Sequence, residues 1–134
     1  MSILIVGEFI SASSLRSGDP FGDGLWRFFK SQLGKAGIPS HTCKWLTVLS
    51  TPADTRGLFT FLGTKEEGIP GLRHVIRTQR NYHLRAEFAP QLEAFREQVR
   101  AIRPNLILAV GDLALWALTD EPSLKLARGR ITNC

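Results

Sequence analysis

The segment at residues 102–118 reads IRPNLILAVGDLALWAL. Its five apolar residues at 106–110 lie between a proline–asparagine pair and Gly111, and this pattern predicts a short, fully buried strand. A second apolar run at 112–118 follows the glycine and predicts a helix. A buried strand that leads directly into a helix is the repeating unit of α/β folds with a parallel sheet. The segment therefore predicts a fold of that class.

The N-terminal part of the chain has the same order of elements. An apolar run, ILIV at 3–6, predicts another buried strand. Residues 8–24 are rich in Ser, Gly, Asp and Pro and predict a long loop, and apolar residues at helical spacing predict a helix over 25–36. Ligands of parallel α/β folds bind beyond the carboxyl ends of the strands, so the loop at 8–24 is a predicted ligand-binding region.

The remaining sequence predicts one more strand and one long helix. The predicted elements are a strand over 41–49, a turn over 50–54, a loop with short helical or strand pieces over 55–80, a helix over 85–102 and the beginning of another strand over 124–134. Pro90 is tolerated only near the start of a helix, so the helix is expected to begin close to Ala89. A chain of this length forms one core, which predicts a single domain over residues 1–134.

The composition suggests a partner that carries negative charge. The chain has 134 residues, a mass of 14.9 kDa and a formal net charge of +5. Such an excess of basic residues favours nucleic acid as the partner. Residues 73–85 hold four Arg and two His and no acidic residue, and two interpretations are open. The segment is either a solvated loop or an edge that faces phosphates, with Tyr82 as a stacking group.

Several classes of site and location are not expected. The loop after the first strand has neither a phosphate-binding GxxxxGK[ST] pattern nor a GxSxG nucleophile motif. The two cysteines and three histidines lack the spacing of metal ligands, so we expect no metal and no cofactor, and Cys43 is expected to be a small core residue. No apolar run approaches the roughly 18 residues of a membrane span, and no signal peptide is evident. The expected location is the cytoplasm.

The motifs, in their order along the chain, resemble the uracil-DNA glycosylase superfamily. VGE at 6–8 opens a loop that ends in GDPF at 18–21, and LARGRITN at 126–133 follows the segment at 102–118. The closest resemblance is to the glycosylase-like module found with bacteriophage DNA polymerases. It implies a three-layer α/β sandwich with a mainly parallel central sheet, here without the family's C-terminal strand and helix. An exposed sheet edge would then invite a protein partner or a second copy of the chain.

The resemblance also implies candidate site residues. Phe21 matches the aromatic residue that stacks on a flipped base in the family, although an ordinary core phenylalanine is the alternative interpretation. The pocket loop would comprise Gly7, Glu8, Ser11, Gly18, Pro20 and Gly111. The candidates for contacts with the DNA backbone are Arg73, Arg77, Arg80, Arg85 and, in the RG of the late motif, Arg128.

Three parts of the family's chemistry have no counterpart in this sequence. Ala12, Ser13 and Ser14 stand where the family places its water-activating carboxylate, and the WLTVLSTP segment lacks the family's uracil-reading Asn. The family's His-Pro-Ser motif would follow RGRITN, but the sequence ends at Cys134. We therefore expect no catalytic residue, and the chain is interpreted as a fragment, a split gene product or a complete, non-catalytic protein.

Three functions follow from these observations. The leading one is a glycosylase-like DNA-binding module of phage replication that is not catalytic on its own, located in the cytoplasm of the host cell. The first alternative is an active uracil-DNA glycosylase or the N-terminal fragment of a phage DNA polymerase. The second is a small phage protein that binds a host or replisome protein.

Overall fold

The computed structural model describes residues 2–22, 24–77 and 80–120. Its strands are β1 (Ile3–Gly7), β2 (Cys43–Thr47), β3 (Leu62–Gly63), β4 (Ile76–Arg77), β5 (Asn81–Leu84) and β6 (Leu106–Ala109). Its α-helices are α1 (Ala12–Ser17), α2 (Leu25–Lys35), α3 (Ala89–Ile102) and α4 (Asp112–Thr119). None of these helices is both long and apolar enough to cross a membrane.

The central sheet is parallel and has the strand order β2-β1-β6. Ile3 of β1 lies opposite Cys43 on one side and Leu106 on the other, and this register continues along the strands. The middle strand β1 is buried along its whole length, as a fully covered strand of a parallel sheet should be. The predicted α/β class with a parallel sheet is confirmed.

Side chains of β1 alternate between the two faces of the sheet and bury both of them. Ile3 and Ile5 pack with Leu33 of α2 and with Cys43, which is buried as predicted. Leu4 and Val6 point to the opposite face, because successive side chains of a strand alternate. They pack in a larger core with residues of α3 and α4, including Leu92, Phe95 and Trp116. The sheet therefore lies between two layers, which agrees with the expected three-layer sandwich.

A small antiparallel sheet adds to the layer that contains α3 and α4. Its strand order is β3-β5-β4, and Phe61, Val75 and Leu84 bury their side chains in the same core as Leu4. The sequence predicted mostly loop over 55–80, and two strands of only two residues each carry too short a pattern to be recognised.

Three other predictions need correction. Residues 8–24 contain α1, which Ser11 caps at its N-terminus and Gly18 ends in the left-handed conformation, so the segment is not a continuous loop. The predicted strand over 41–49 is shorter, because a 3-10 turn occupies Ser40–Thr42. Residues 106–110 are not fully buried: Leu106 is 40% exposed, since β6 pairs with β1 alone among the described strands.

The long helix follows its prediction more closely. α3 begins at Ala89 with Pro90 in its first turn, after a 3-10 turn, and it ends at Arg103 in the left-handed conformation. The predicted C-terminal strand over 124–134 lies outside the described residues, and a protein partner at a sheet edge stays a prediction.

Candidate functional site

A cavity of about 180 Å³ lies beyond the carboxyl ends of β1 and β6. Its lining residues are Glu8, Phe9, Ser11, Pro20, Phe21, Gly22, Leu25 and Val110. Glu8 and Val110 directly follow β1 and β6, and Leu25 is the first residue of α2. This is the position at which parallel α/β folds bind their ligands. A cavity of about 150 Å³ is enough for benzene, so the space suits a single six-membered ring.

Phe21 forms one wall of the cavity and is half-buried. Its ring stacks on Phe29 at 5.3 Å between centroids and meets Trp45 of β2 edge-on at 5.1 Å. A Cβ atom on Gly7 would come within 2.6 Å of Cε1 of Phe21, so the glycine lets the ring lie directly over the end of β1. Phe21 thus packs in an aromatic cluster and also lines the cavity, and its stacking on a base stays a prediction.

Among the lining residues that the structure describes, Glu8 alone carries a carboxyl group. Its Oε2 accepts a hydrogen bond of 2.9 Å from the backbone N–H of Leu113, in the first turn of α4. Gly111 has a φ of 104°, and a Cβ atom there would overlap the carboxyl group of Glu8. Glycine at this position therefore brings the carboxyl group against the start of α4.

Burial raises the pKa of Glu8 from 4.5 to about 7, and it outweighs the hydrogen bond from Leu113, which lowers the pKa. The neighbouring charge of Asp112 contributes a smaller part of the same increase in the pKa. At neutral pH the cavity therefore holds a carboxyl group that is part protonated and part ionised, and it can either donate or accept a hydrogen bond.

The N-terminal cap of α1, Ser11, also lines the cavity. The Oγ of Ser11 accepts a hydrogen bond of 3.0 Å from the N–H of Ser14, which caps α1. Gly22 approaches this turn so closely that a Cβ atom would lie 2.6 Å from the Oγ of Ser11. Gly18 is not among the lining residues; it ends α1 with a φ of 75° and so turns the chain back towards Pro20.

The candidate DNA-contacting arginines divide into two groups. Arg77 lies opposite Asn81 in the antiparallel register of β4 and β5. Arg73, Arg77 and Arg80 are all exposed. Arg85 instead forms ion pairs with Glu67 at 3.5 Å and with Glu87 at 3.3 Å. Both glutamates lie outside the acid-free segment at 73–85, so the composition of that segment did not predict this pairing. Arg128 lies outside the described residues.

Two ring–ring contacts involve residues in or next to this hairpin. Tyr82 meets the ring of Phe59 edge-on at 5.2 Å. His74 and His83 lie with their rings 6.0 Å apart, and burial, together with the positive charges of His83, Arg73 and Arg77, lowers the pKa of His74. Within the ranges 2–22, 24–77 and 80–120, no three His, Cys, Asp or Glu side chains are grouped so that they would hold a metal ion.

Four lining residues were not individual candidates from the sequence: Phe9, Gly22, Leu25 and Val110. Phe9 and Gly22 lie within the loop at 8–24 that was predicted to bind a ligand, and Val110 carries a positional signal because it lies just beyond the carboxyl end of β6. Leu25 carries no such signal, since its place depends on how α2 packs beside the sheet.

A family model described as the uracil DNA glycosylase superfamily matches residues 1–132. The chain belongs to the uracil DNA glycosylase superfamily. No curated protein and no solved structure matches the sequence. The superfamily match covers all the residues that line the cavity, the strands β1 and β6 that lead to it, and the β4–β5 hairpin.

Proposed function

We propose that this domain binds DNA and holds one unpaired base in the cavity at the ends of β1 and β6, without cleaving it. The observation that carries the proposal is the position of Phe21, whose ring lines a cavity large enough for one six-membered ring. A base that enters this cavity gains a stacking surface, and base–aromatic stacking contributes about 1–3 kcal/mol. The superfamily membership supports a DNA ligand.

The exposed arginines in and just before the β4–β5 hairpin supply the second part of the proposal. We assign Arg73, Arg77 and Arg80 to phosphate contacts because they are exposed, whereas Arg85 is partly buried and forms ion pairs with two glutamates. Phosphate contacts add affinity without reading sequence and weaken as salt rises. We therefore propose weak, backbone-directed binding that the cavity supplements with one base.

The absence of cleavage is proposed from the side chains that surround the cavity. Hydrolysis of a glycosidic bond needs a group that positions and activates water and offsets the developing positive charge. Ala12 and Ser13 stand in α1 where the superfamily resemblance expects a carboxylate, and the hydroxyl of Ser14 donates a hydrogen bond to the backbone carbonyl of Asp19. Glu8 is held by Leu113, so its carboxyl group serves to anchor the start of α4.

The phage replication setting is a further part of the proposal. It rests on the resemblance of the PNLILAVG and RGRITN segments to the glycosylase-like module of bacteriophage DNA polymerases. A gene that lies within or beside a phage DNA polymerase gene would support this setting. A gene that stands among small early genes would favour a protein that binds a host or replisome protein.

The test of the base-binding proposal is the affinity of a Phe21→Ala variant for a short, fluorescently labelled single-stranded oligonucleotide. The loss of one stacking contact predicts binding about tenfold to a hundredfold weaker per folded molecule. Phe88→Ala is the matched control, since Phe88 is also half-buried and also packs on an aromatic ring, that of Phe61 at 5.1 Å. It removes a similar packing contact outside the cavity.

Urea titrations of both variants give the folded fraction for this comparison. A Phe21→Ala variant that loses stability but keeps wild-type affinity per folded molecule would contradict the proposal. It would show that Phe21 acts in the aromatic cluster alone. Wild-type protein that binds no oligonucleotide at low salt would contradict it as well.

A second candidate function is hydrolysis of the glycosidic bond with Glu8 as the general base. The observation that favours it is a buried carboxyl group with a pKa of about 7 in the cavity wall. Ionised Glu8 would take a proton from water as the water oxygen bonds to the sugar carbon, and the breaking bond would leave its electron pair on the base. Release of uracil from uracil-containing DNA by wild-type protein, and its loss in Glu8→Gln, would establish this function instead.

A further inference from the structure

The turn that follows β2 runs alongside the segment that lines the cavity. Three backbone N–H groups of residues 48–53 donate hydrogen bonds to carbonyls of residues 7–10: Val48 to Gly7 at 3.0 Å, Leu49 to Glu8 at 3.1 Å and Ala53 to Ile10 at 3.1 Å. Ile10 also forms an isolated parallel bridge with Pro52. We call residues 8–11, three of which line the cavity, the wall segment, and residues 50–52 the β2 turn.

A single side chain of α3, that of Gln91, holds the β2 turn. Its Oε1 accepts hydrogen bonds from the backbone N–H of Ser50 at 3.0 Å and from the hydroxyl of Ser50 at 3.3 Å. Its Nε2 donates to the Oγ1 of Thr51 at 2.9 Å. A backbone N–H only donates, so the oxygen of the amide has to face Ser50 and the nitrogen faces Thr51. The amide of Gln91 is therefore engaged at both of its ends.

The position of Ser50 explains why the turn needs this support. Ser50 follows Leu49, which still bonds to the wall segment, but the N–H of Ser50 bonds to Gln91 instead. Ser50 and Thr51 are both exposed, so water could satisfy their polar groups if Gln91 did not. Loss of the Gln91 contacts should therefore affect the stability of the fold only slightly, while it releases the turn that borders the wall segment.

We propose that Gln91 is a positioning residue for the base cavity: from α3 it fixes the β2 turn, and the turn fixes the wall segment through Ile10. The inference rests on the proposed function and adds a residue that does not itself line the cavity. Ile10 is followed by Ser11, which caps α1 and packs closely against Gly22. A shift of Ile10 would thus be transmitted to the lining residues next to Phe21.

The test uses Gln91→Met, which keeps the length of the side chain and removes its hydrogen bonds. Each variant is titrated with a labelled single-stranded oligonucleotide and with an abasic strand of the same length, which has no base to enter the cavity. Gln91→Met should bind the base-containing strand about threefold to tenfold more weakly per folded molecule, and the abasic strand within about twofold of wild type. Gln98→Met is the matched control, because Gln98 is exposed two turns further along α3, and it should change neither affinity.

Gln91→Glu is the rescue variant. Its carboxylate can accept hydrogen bonds from both donors of Ser50 and from the hydroxyl of Thr51, since a hydroxyl donates as well as accepts. Its affinity for the base-containing strand should lie within about twofold of that of Gln98→Glu, which carries the same added charge on α3. In the free protein, the backbone amide shifts of residues 8–11 should change in Gln91→Met, return towards wild type in Gln91→Glu and stay unchanged in Gln98→Met.

The outcomes separate this inference from the proposed function. Weaker binding of the base-containing strand alone in Gln91→Met, with recovery in Gln91→Glu, supports the positioning role. Unchanged binding in Gln91→Met, together with weaker binding in Phe21→Ala, overturns it and leaves the cavity proposal in place. An equal loss on both strands shows that Gln91 or the β2 turn contacts the DNA backbone, and it also overturns the positioning role.

A failure of the proposed function has a different signature. Wild-type protein that binds the base-containing and the abasic strand equally contradicts the proposal that the cavity holds a base. The amide shifts of the free protein then decide the role of Gln91. Shifts of residues 8–11 that move in Gln91→Met and not in Gln98→Met support the positioning of the wall segment, and shifts that stay unmoved in both variants overturn it.

Discussion

Substitution of Glu8 by glutamine should change how the stability of the protein depends on pH. The native state holds the proton of Glu8 up to a pKa of about 7, whereas the unfolded chain releases it near 4.5. Between these two pH values the native state binds more protons than the unfolded chain. The protonation of Glu8 therefore contributes its full stabilisation below about pH 4.5, and this contribution is lost as the pH rises through about 7. Each pKa unit corresponds to about 1.36 kcal/mol, so the loss above pH 7 amounts to roughly 3 kcal/mol.

Glu8→Gln removes this titration and can keep the hydrogen bond from Leu113, because the amide oxygen of glutamine accepts it. We expect the variant to match the wild type near pH 5 within about 1 kcal/mol and to exceed it by up to about 3 kcal/mol at pH 8. Urea unfolding, followed by tryptophan fluorescence at unit intervals from pH 5 to pH 8, gives both curves. The difference between the curves removes contributions from other titrating groups, including His74.

Glu93→Gln is the matched control, because Glu93 is exposed on α3 and far in sequence from the cavity. Its stability should follow the wild-type curve at each pH. A Glu8→Gln variant whose stability falls with pH as steeply as that of the wild type would refute the reasoning. Burial of an ionisable carboxyl group at Glu8 would then not be the cause of the pH dependence.

Other substitutions test the remaining parts of the account. Replacement of Arg73, Arg77 and Arg80 together by Ala should flatten the salt dependence of DNA binding, measured as the slope of log affinity against log salt concentration. The slope should change by about 0.7 for each lost contact on a single strand. An unchanged slope would show that the hairpin is not part of the interface. Arg85→Ala should leave that slope unchanged, because its guanidinium already pairs with two glutamates; a flatter slope would show that Arg85 also contacts phosphate. Gly111→Ala should lower the free energy of unfolding by more than about 1 kcal/mol, since its φ of 104° and the nearby carboxyl group of Glu8 both oppose a side chain; urea unfolding near the wild-type midpoint would contradict this.

The parallel sheet could be predicted from sequence because its strands are continuous apolar runs. Ile3 to Val6 have no polar face, which is the pattern of a strand covered on both sides, and the structure buries all four. The helix α3 was likewise evident from its apolar stripe and from Pro90 near its start. In these elements the local pattern and the tertiary packing agree.

The helix α1 was missed although its two ends carry recognisable signals. Ser11 caps its N-terminus and Gly18 ends it, and both are residue types that favour these positions. The six residues between them include three serines and form fewer than two turns, so no apolar period is present. The N-terminal end of this segment also packs closely against Gly22.

The candidate site was only partly predictable for a similar reason. The motif resemblance pointed to Glu8 and Phe21, and both line the cavity. Leu25 and Val110 come from elements far apart in sequence that meet only when the sheet and α2 pack together. The pairing of Arg85 with Glu67 also depends on tertiary packing, because the acidic partner lies outside the basic segment.

The central claim is that the cavity at the ends of β1 and β6 receives a base of bound DNA, and an NMR titration of 15N-labelled protein with a short single-stranded oligonucleotide tests it most directly. We predict that the largest changes in backbone amide shifts occur at cavity residues, including Glu8, Gly22 and Val110, with a second group of changes in the β4–β5 hairpin. Changes confined to the hairpin, with the cavity amides unmoved at saturation, would contradict the claim and leave only backbone contact with DNA.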